Sequence, residues 1–237
     1  MKQKAITVSV VIPAYNEEKN IERTLSSILL LRPVPSEIVV INNNSSDKTG
    51  DLARKMGVRV IEENVRGIST ARNAGFNAAK GDLLIRCDAD TVVPQDWIQT
   101  VVDSFKDVSV VAVTGPADYF DDTLPDWVSR SFGFFQNVFY FQLSRLLLGH
   151  HVLLGLNCAI RRDGWKKISS SVCTNDKIMH EDMDLAIHIN PYGKIAYVPR
   201  LRVKTSLRRL HRPFSLFVVY PTKWVITIIK HFFPHKK

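Results

Sequence analysis

Short apolar runs alternate along this chain with longer stretches in which apolar residues recur every three or four positions. Val8 to Ile12 reads as a first strand, and Ile21, Leu25, Ile28 and Leu29 then share one face of a helix within Glu18 to Leu31. The pattern repeats after Pro33 and Pro35. Strands are expected at Glu37 to Ile41, Val58 to Ile61 and Leu83 to Cys87, with helices at Lys48 to Met56 and Ile68 to Ala79. Gln95 to Phe105 and Val110 to Thr114 extend the series. A βα succession of this kind predicts an α/β fold, a Rossmann-like and mostly parallel central sheet flanked by helices.

The second half is less regular. Leu124 to Leu154 is rich in Phe, Tyr and Leu, is broken by Gly133 and Gly149, and predicts one or two helices with an aromatic face. Glu181 to Ile189 reads as a helix ended by Pro191 and Gly193, and Ile195 to Val198 as a strand. No repeat or linker divides the chain. We expect one main domain over 1–212, with 1–115 and 116–212 as its two parts, and a separate tail over 213–237.

At 237 residues and 45% hydrophobic content the chain can bury one substantial core. Its three cysteines, Cys87, Cys158 and Cys173, are widely spaced and suggest neither a disulfide framework nor a zinc site. With a polar, basic stretch ahead of Val8 in place of a signal peptide, they point to a cytoplasmic setting. Charge is unevenly placed. No acidic residue follows Asp184, whereas Lys194 and ten later Lys or Arg residues make that segment +11, leaving 21 basic against 23 acidic residues before it. The net +9 therefore belongs to the last quarter and calls for a local anionic partner. No nucleic-acid recognition motif is present, so nucleic acid is not expected as that partner.

Ligands of open α/β sheets sit beyond the C-terminal ends of the strands, and here those ends are polar. They read Pro13-Ala14-Tyr15-Asn16-Glu17, Asn42-Asn43-Asn44-Ser45-Ser46-Asp47 and Asp88-Ala89-Asp90. Two carboxylates one residue apart after a buried strand can bind a hard divalent cation that takes its remaining ligands from phosphate and water.

The segments Val10 to Glu17, Asn43 to Thr49, Ala71-Arg72-Asn73-Ala74-Gly75, Gly81-Asp82 and Asp88-Ala89-Asp90 together resemble family 2 glycosyltransferases. The likeness continues more loosely through Gly155-Leu156-Asn157, His180-Glu181-Asp182 and Ser206-Leu207-Arg208-Arg209. It implies a GT-A type fold, a UDP- or GDP-sugar donor, Mg2+ or Mn2+, and inversion at the anomeric carbon. By motif, Pro13, Ala14, Tyr15 and Glu17 would cradle base and ribose, Asn43 would reach the base, and Arg72 would hold the nucleotide. Asp88 would lie near ribose and sugar, Asp90 would ligate the metal, and Arg208 and Arg209 would close over the diphosphate, with His211 a further metal ligand. The family often carries Asp where this chain has Asn42, which leaves the nucleotide open.

Inverting transfer needs a base to take the acceptor proton. The resemblance gives that role to Asp182, with Glu181 as helper or acceptor contact and Asn157 near the acceptor or the donor sugar. Acids at a helix start are also favoured by the helix dipole alone. A sugar nucleotidyltransferase would share nucleotide and metal but calls for a Gly-rich basic loop after the first strand, which Pro13-Ala14-Tyr15 lacks. An inactive membrane- or glycan-binding module stays open, though it would have no reason to keep Asp88, Asp90 and Asp182 together.

Phe214 to Phe233 is apolar but interrupted by Pro221, Lys223 and Lys230 and followed by Lys236 and Lys237. Trp224, Phe232 and Phe233 among Lys and His residues suit an amphipathic helix lying in a membrane interface. Phe132 to Phe141 either adds to that face or packs in the core. The expected enzyme is peripheral on the inner face of the cell membrane and acts on a lipid-linked or saccharide acceptor.

Overall fold

Strand β1 (Val8–Ala14) runs parallel between β2 (Glu37–Asn42) and β4 (Leu83–Cys87), and its apolar run is buried on both faces. The computed structural model describes residues 6–121, 124–175, 177–208 and 218–232. Arg209, His211, Phe214, Phe233, Lys236 and Lys237 lie outside the described residues. Outside β2 the sheet ends in β3 (Arg59–Glu62). Beyond β4 it continues through β8 (Asn157–Arg161), β6 (Val110–Thr114) and β9 (Lys194–Tyr197), in the order β3-β2-β1-β4-β8-β6-β9. Only β8 is antiparallel to its neighbours, so the sheet is mostly parallel. The two halves of the chain thus interleave in one sheet.

Helices cover both faces. In α1 (Ile21–Leu29) the buried positions are Ile21, Thr24, Leu25 and Ile28, the spacing that predicts the helix. Leu29, expected on that face, is 38% exposed, because α1 ends there and the chain turns away. Helix α3 (Ile68–Ala78) lies so close to the sheet that a Cβ on Gly75 would stand 2.3 Å from Val11 Cγ1. Helices α2 (Thr49–Lys55), α4 (Trp97–Ser104) and α7 (Arg162–Ile168) complete the layers, and α8 (Glu181–Ile189) buries Met183, Leu185, Ala186 and Ile189. Each large apolar side chain taken fully from water contributes about 1.5–3 kcal/mol.

A second sheet, ordered β5-β10-β7, joins β5 (Thr91–Val92), β10 (Val203–Ser206) and β7 (Ala117–Phe120). The sequence pattern predicts none of these three, nor β8. They are short, and pairing with partners distant in the chain makes them strands where side-chain periodicity is too brief to show it. Strand β10 carries the segment leading to Arg208 alongside the residues that follow Asp90.

Between β7 and β8 the chain is helical in three consecutive stretches, α5 (Asp126–Phe135), a π-helix (Gln136–Leu143) and α6 (Ser144–Leu148). The aromatic run divides here. Phe141 is fully buried and Phe132 packs edge-on against Tyr119, whereas Phe134, Phe135 and Phe139 are 66%, 55% and 57% exposed. Helix α9 (Tyr220–Phe232) packs beside this segment, with Trp224 Nε1 donating to Ser144 Oγ at 3.0 Å. Among the described residues no helix is long and apolar enough to cross a membrane.

Candidate active site

The loops after β1 and β2 are bound to each other. Asn16, at φ +52°, accepts from Ser46 N at 2.9 Å, its own N–H donates to Ser45 Oγ, and Glu18 N donates to Asp47 Oδ2. Asn44 also takes a left-handed backbone, at φ +59°, which asparagine tolerates better than most residues. Pro13 and Ala14 are the last residues of β1, and Tyr15 stands at the rim with the Arg66 guanidinium 3.8 Å from its ring centroid. Asn42 Nδ2 donates to Glu62 Oε2 at 2.7 Å, so β3 supplies a carboxylate where the β2 end has none.

Three residues assigned to ligands by resemblance have their polar groups engaged inside the protein. Asn43 Nδ2 donates to the carbonyls of Val65 (2.8 Å) and Glu63 (3.3 Å), and its Oδ1 accepts from Gly67 N (2.8 Å). Its amide fixes the 63–67 loop and has no donor left for a base. Arg72 is fully buried and donates to the carbonyls of Glu181 (2.8 Å) and Cys173 (3.3 Å), so it anchors the start of α8. Asn157 is engaged in the same way. It accepts from Trp97 Nε1 (3.0 Å) and donates to the carbonyls of Pro116 (3.2 Å) and Leu201 (2.7 Å), which satisfies the whole amide in the core.

Asp88-Ala89-Asp90 leaves β4 in a turn closed by Thr91 N on the Asp88 carbonyl (3.1 Å), while Thr24 Oγ1 holds the Ala89 carbonyl (2.8 Å). Asp90 is buried. It accepts from Thr205 Oγ1 at 3.2 Å and pairs with Arg208 Nη2 at 3.0 Å. Arg208 also grips Glu17 with both terminal nitrogens, one at 2.7 Å. Glu17, Asp90 and Arg208 thus meet at the ends of β1, β4 and β10, and a guanidinium lies between the two acids. Oxygen donors around a position that already attracts positive charge fit a hard divalent cation.

A second acid cluster lies beside the first. Glu181 and Asp182 open α8, where the helix N-terminus favours negative charge. Arg86, in the middle of apolar β4 and only 1% exposed, reaches Asp182 Oδ1 (3.0 Å), Glu181 Oε1 (3.3 Å) and Asp88 Oδ1 (3.4 Å). Gly155 N adds a 2.7 Å hydrogen bond to Asp182 Oδ2. Burial, then the Glu181 charge, pushes the Asp182 carboxyl well above its ordinary value, against the pull of Arg86. Glu181 is buried too, yet Arg86, His180 and Arg72 hold it below its ordinary range. The pair therefore has one firm anion and one carboxyl able to take a proton, the state a general base requires.

The sequence reading misses Arg86, Arg66 and Thr205, and looks to Asn157 where Gly155 makes the contact. Arg86 carries a signal of its own: a cation inside Leu83-Leu84-Ile85-Arg86-Cys87 is buried, and a buried charge requires partners. Alternation places Asp88 on the same face.

A mostly parallel sheet with two acids one residue apart beyond a central strand, tied by one arginine to a buried acid pair, defines a GT-A class protein. The profile described as Glycosyl transferase family 2 matches residues 9–168, and the chain belongs to that family. It is 37% identical over 115 residues to a poly-beta-1,6-N-acetyl-D-glucosamine synthase of Staphylococcus aureus strain COL, covering 46% of this chain and 28% of that protein. Over 99 residues it is 31% identical to Glycosyltransferase GlyA of Streptococcus pneumoniae serotype 4, covering 40% of this chain and 14% of GlyA. The chain thus spans a minor part of the length of these relatives. Among solved structures, a Pyrobaculum calidifontis mannosyltransferase in complex with GDP-Man and Mn2+ matches 84% of this chain and 56% of its own, with TM-score 0.65 and 22% identity. Staphylococcus aureus TarS 1-349 in complex with UDP-GlcNAc matches 86% and 59%, with TM-score 0.66 and 17% identity. These likenesses establish the fold.

Proposed function

We propose that this chain is an inverting glycosyltransferase that moves a sugar from a UDP- or GDP-sugar, with Mg2+ or Mn2+, to a lipid-linked or cell-envelope saccharide acceptor. One observation carries the reading: a single buried guanidinium, Arg86, binds Asp88 of the donor segment and Asp182 of the base pair, so both acids belong to one site. The nucleotide-sugars bound to the two structural neighbours support the donor class.

Pro13, Ala14, Tyr15 and Glu17 form the wall for base and ribose, and Arg66 on the Tyr15 ring adds a flat cationic platform. Asp88 contacts ribose or sugar. Asp90 would hold the cation, which when bound neutralises charge on the departing diphosphate. Arg208, with Arg209 beyond it, releases Glu17 and Asp90 to bind phosphate oxygens in fork geometry. Asp182 accepts the acceptor hydroxyl proton as that oxygen attacks the anomeric carbon. The bond from the anomeric carbon to the diphosphate oxygen breaks, and configuration inverts. Gly155 N–H and Arg86 hold the Asp182 oxygens in place, and Glu181 keeps its proton affinity high.

Membrane contact is the second part of the proposal. Trp127, Phe134, Phe135, Phe139, Leu146 and Leu147 are exposed along the helical stretch after β7, and Val225 and Ile229 are exposed on α9 beside it. With the acid-free basic segment, this surface suits anionic lipid on the inner face of the cell membrane.

Thermal shift with UDP- and GDP-sugars, with and without Mn2+, followed by transfer assays of Asp182→Asn, tests the reading. The expected result is metal-dependent donor binding retained in Asp182→Asn with transfer abolished. Wild-type transfer by that variant would remove Asp182 as base.

A further inference from the structure

One turn along α8 from the acid pair lies a second cluster that the glycosyl-transfer reading does not use. Asp184, His188 and His231 each bring a donor atom within 4.8 Å of the other two. Asp184 and His188 are four residues apart and share one face of α8, whereas His231 comes from α9, 43 residues further on.

The Asp184 side chain is 2% exposed, and its Oδ2 is engaged by Cys173 N at 2.6 Å. Its Oδ1 faces His231 Nε2 at 3.4 Å and His188 Nδ1 at 3.4 Å. Those separations are long for hydrogen bonds, but about 3.4 Å is the edge of a tetrahedron with metal–ligand bonds near 2.0–2.1 Å. The His231 ring is already oriented. Its Nδ1 contacts the Thr227 carbonyl at 2.9 Å, which directs Nε2 to Asp184, as backbone carbonyls orient metal-binding imidazoles generally. His188 Nδ1 contacts the Asp184 carbonyl at 2.8 Å, a contact that a cation on that nitrogen would replace. Both rings stay partly exposed, at 24% and 18%, which leaves room for entry and for water as a fourth ligand.

We propose that Asp184, His188 and His231 form a binding site for a borderline divalent cation, best matched by Zn2+, that staples α9 to α8. Imidazole and carboxylate suit Zn2+ better than Mg2+, so the site selects a cation different in kind from an all-oxygen donor site. The staple has a route to the acid pair. Thr227, buried on the same helix as His231, accepts from His180 N at 2.8 Å, immediately before Glu181. A cation on His231 thus fixes the helix that holds the start of α8.

The test is titration of the whole chain with Zn2+ and with Co2+ as spectroscopic probe, without nucleotide, on wild type and on His188→Ala, His231→Ala, Asp90→Ala, His180→Ala and Cys173→Ser. His188→Ala leaves the Asp184–His231 pair in place, so it separates loss of metal from loss of helix docking. We expect one Zn2+ per chain, a rise in Tm on binding, and visible Co2+ bands of low-coordinate geometry. Zinc affinity should fall at least tenfold in His188→Ala and His231→Ala and be unchanged in the other three. Absence of binding overturns the site, leaving Asp184 and the two histidines as packing partners between α8 and α9. Affinity lost in Asp90→Ala, His180→Ala or Cys173→Ser but kept in His188→Ala and His231→Ala also overturns it.

Discussion

Gly155 donates its N–H to Asp182 Oδ2 at 2.7 Å, and no side chain fits at its position: a Cβ there would stand 2.4 Å from Asp182 Oδ1 and 2.6 Å from Arg86 Nη1. The residue is required for what it lacks. Gly155→Ala must push the base or its arginine aside, and displacement of a reacting group by about 1 Å costs on the order of 100-fold in rate. We expect transfer to fall by that order with donor affinity kept, read as kcat against donor Kd. Unchanged kcat would show that this carboxylate is not the reacting group.

The acid pair sets a pH dependence. A base works deprotonated, and burial together with Glu181 pushes Asp182 above its ordinary range. The acidic limb of kcat/KM therefore lies at higher pH than for an isolated aspartate, with activity falling as pH drops through it. Glu181→Gln removes the neighbouring charge and should move that limb to lower pH. A limb that stays put in Glu181→Gln counts against the coupling.

Arg86 reaches all three of Asp88, Glu181 and Asp182. Arg86→Met leaves buried acids facing one another, a loss of about 3–5 kcal/mol by comparison with other broken buried pairs. The sign with pH follows. In the variant these acids resist ionisation when folded, so the penalty grows as pH rises above their unfolded values and shrinks in acid. The Tm gap to wild type should be wider at pH 8 than at pH 5, and an equal gap would contradict the network.

Arg208 pairs with Asp90, the acid proposed to hold the cation, so it would compete with that cation. Charge-assisted contacts of this kind are worth about 1.5–3 kcal/mol, or roughly tenfold to a hundredfold. Arg208→Ala should therefore tighten Mn2+ binding to the nucleotide-free chain while weakening nucleotide-sugar binding, both measurable by calorimetry. Weakening of both would mean that Arg208 supports the cation and does not stand in for it.

The exposed apolar face after β7 predicts lipid binding independent of chemistry. Substituting Phe134, Phe139 and Leu146 by Ser should reduce flotation with anionic vesicles by about tenfold or more, since each buried large apolar side chain is worth about 1.5–3 kcal/mol. Flotation equal to wild type would leave the face without a lipid role.

The first half of the fold was legible because each element announces itself: the apolar runs of β1, β2 and β4 and the spacing of Ile21, Leu25 and Ile28 are local signals. β8 was not legible, because its strand character comes from β4 and β6 on either side. Polar motif residues divided in the same manner. Asp88, Asp90 and Asp182 meet arginines in the acid clusters, whereas Asn43, Arg72 and Asn157, equally polar in sequence, hold backbone carbonyls in place.

Sequence alone determined the succession of long strands and helices in the first half and the polar segments that follow those strands, because periodicity depends on near neighbours in the chain. Only the tertiary structure decided which polar groups face one another and which carboxyl can carry a proton. Arg86 and Glu181 are 95 residues apart in the chain yet 3.3 Å apart in space, and the Coulomb energy that sets their ionisation depends on the second distance.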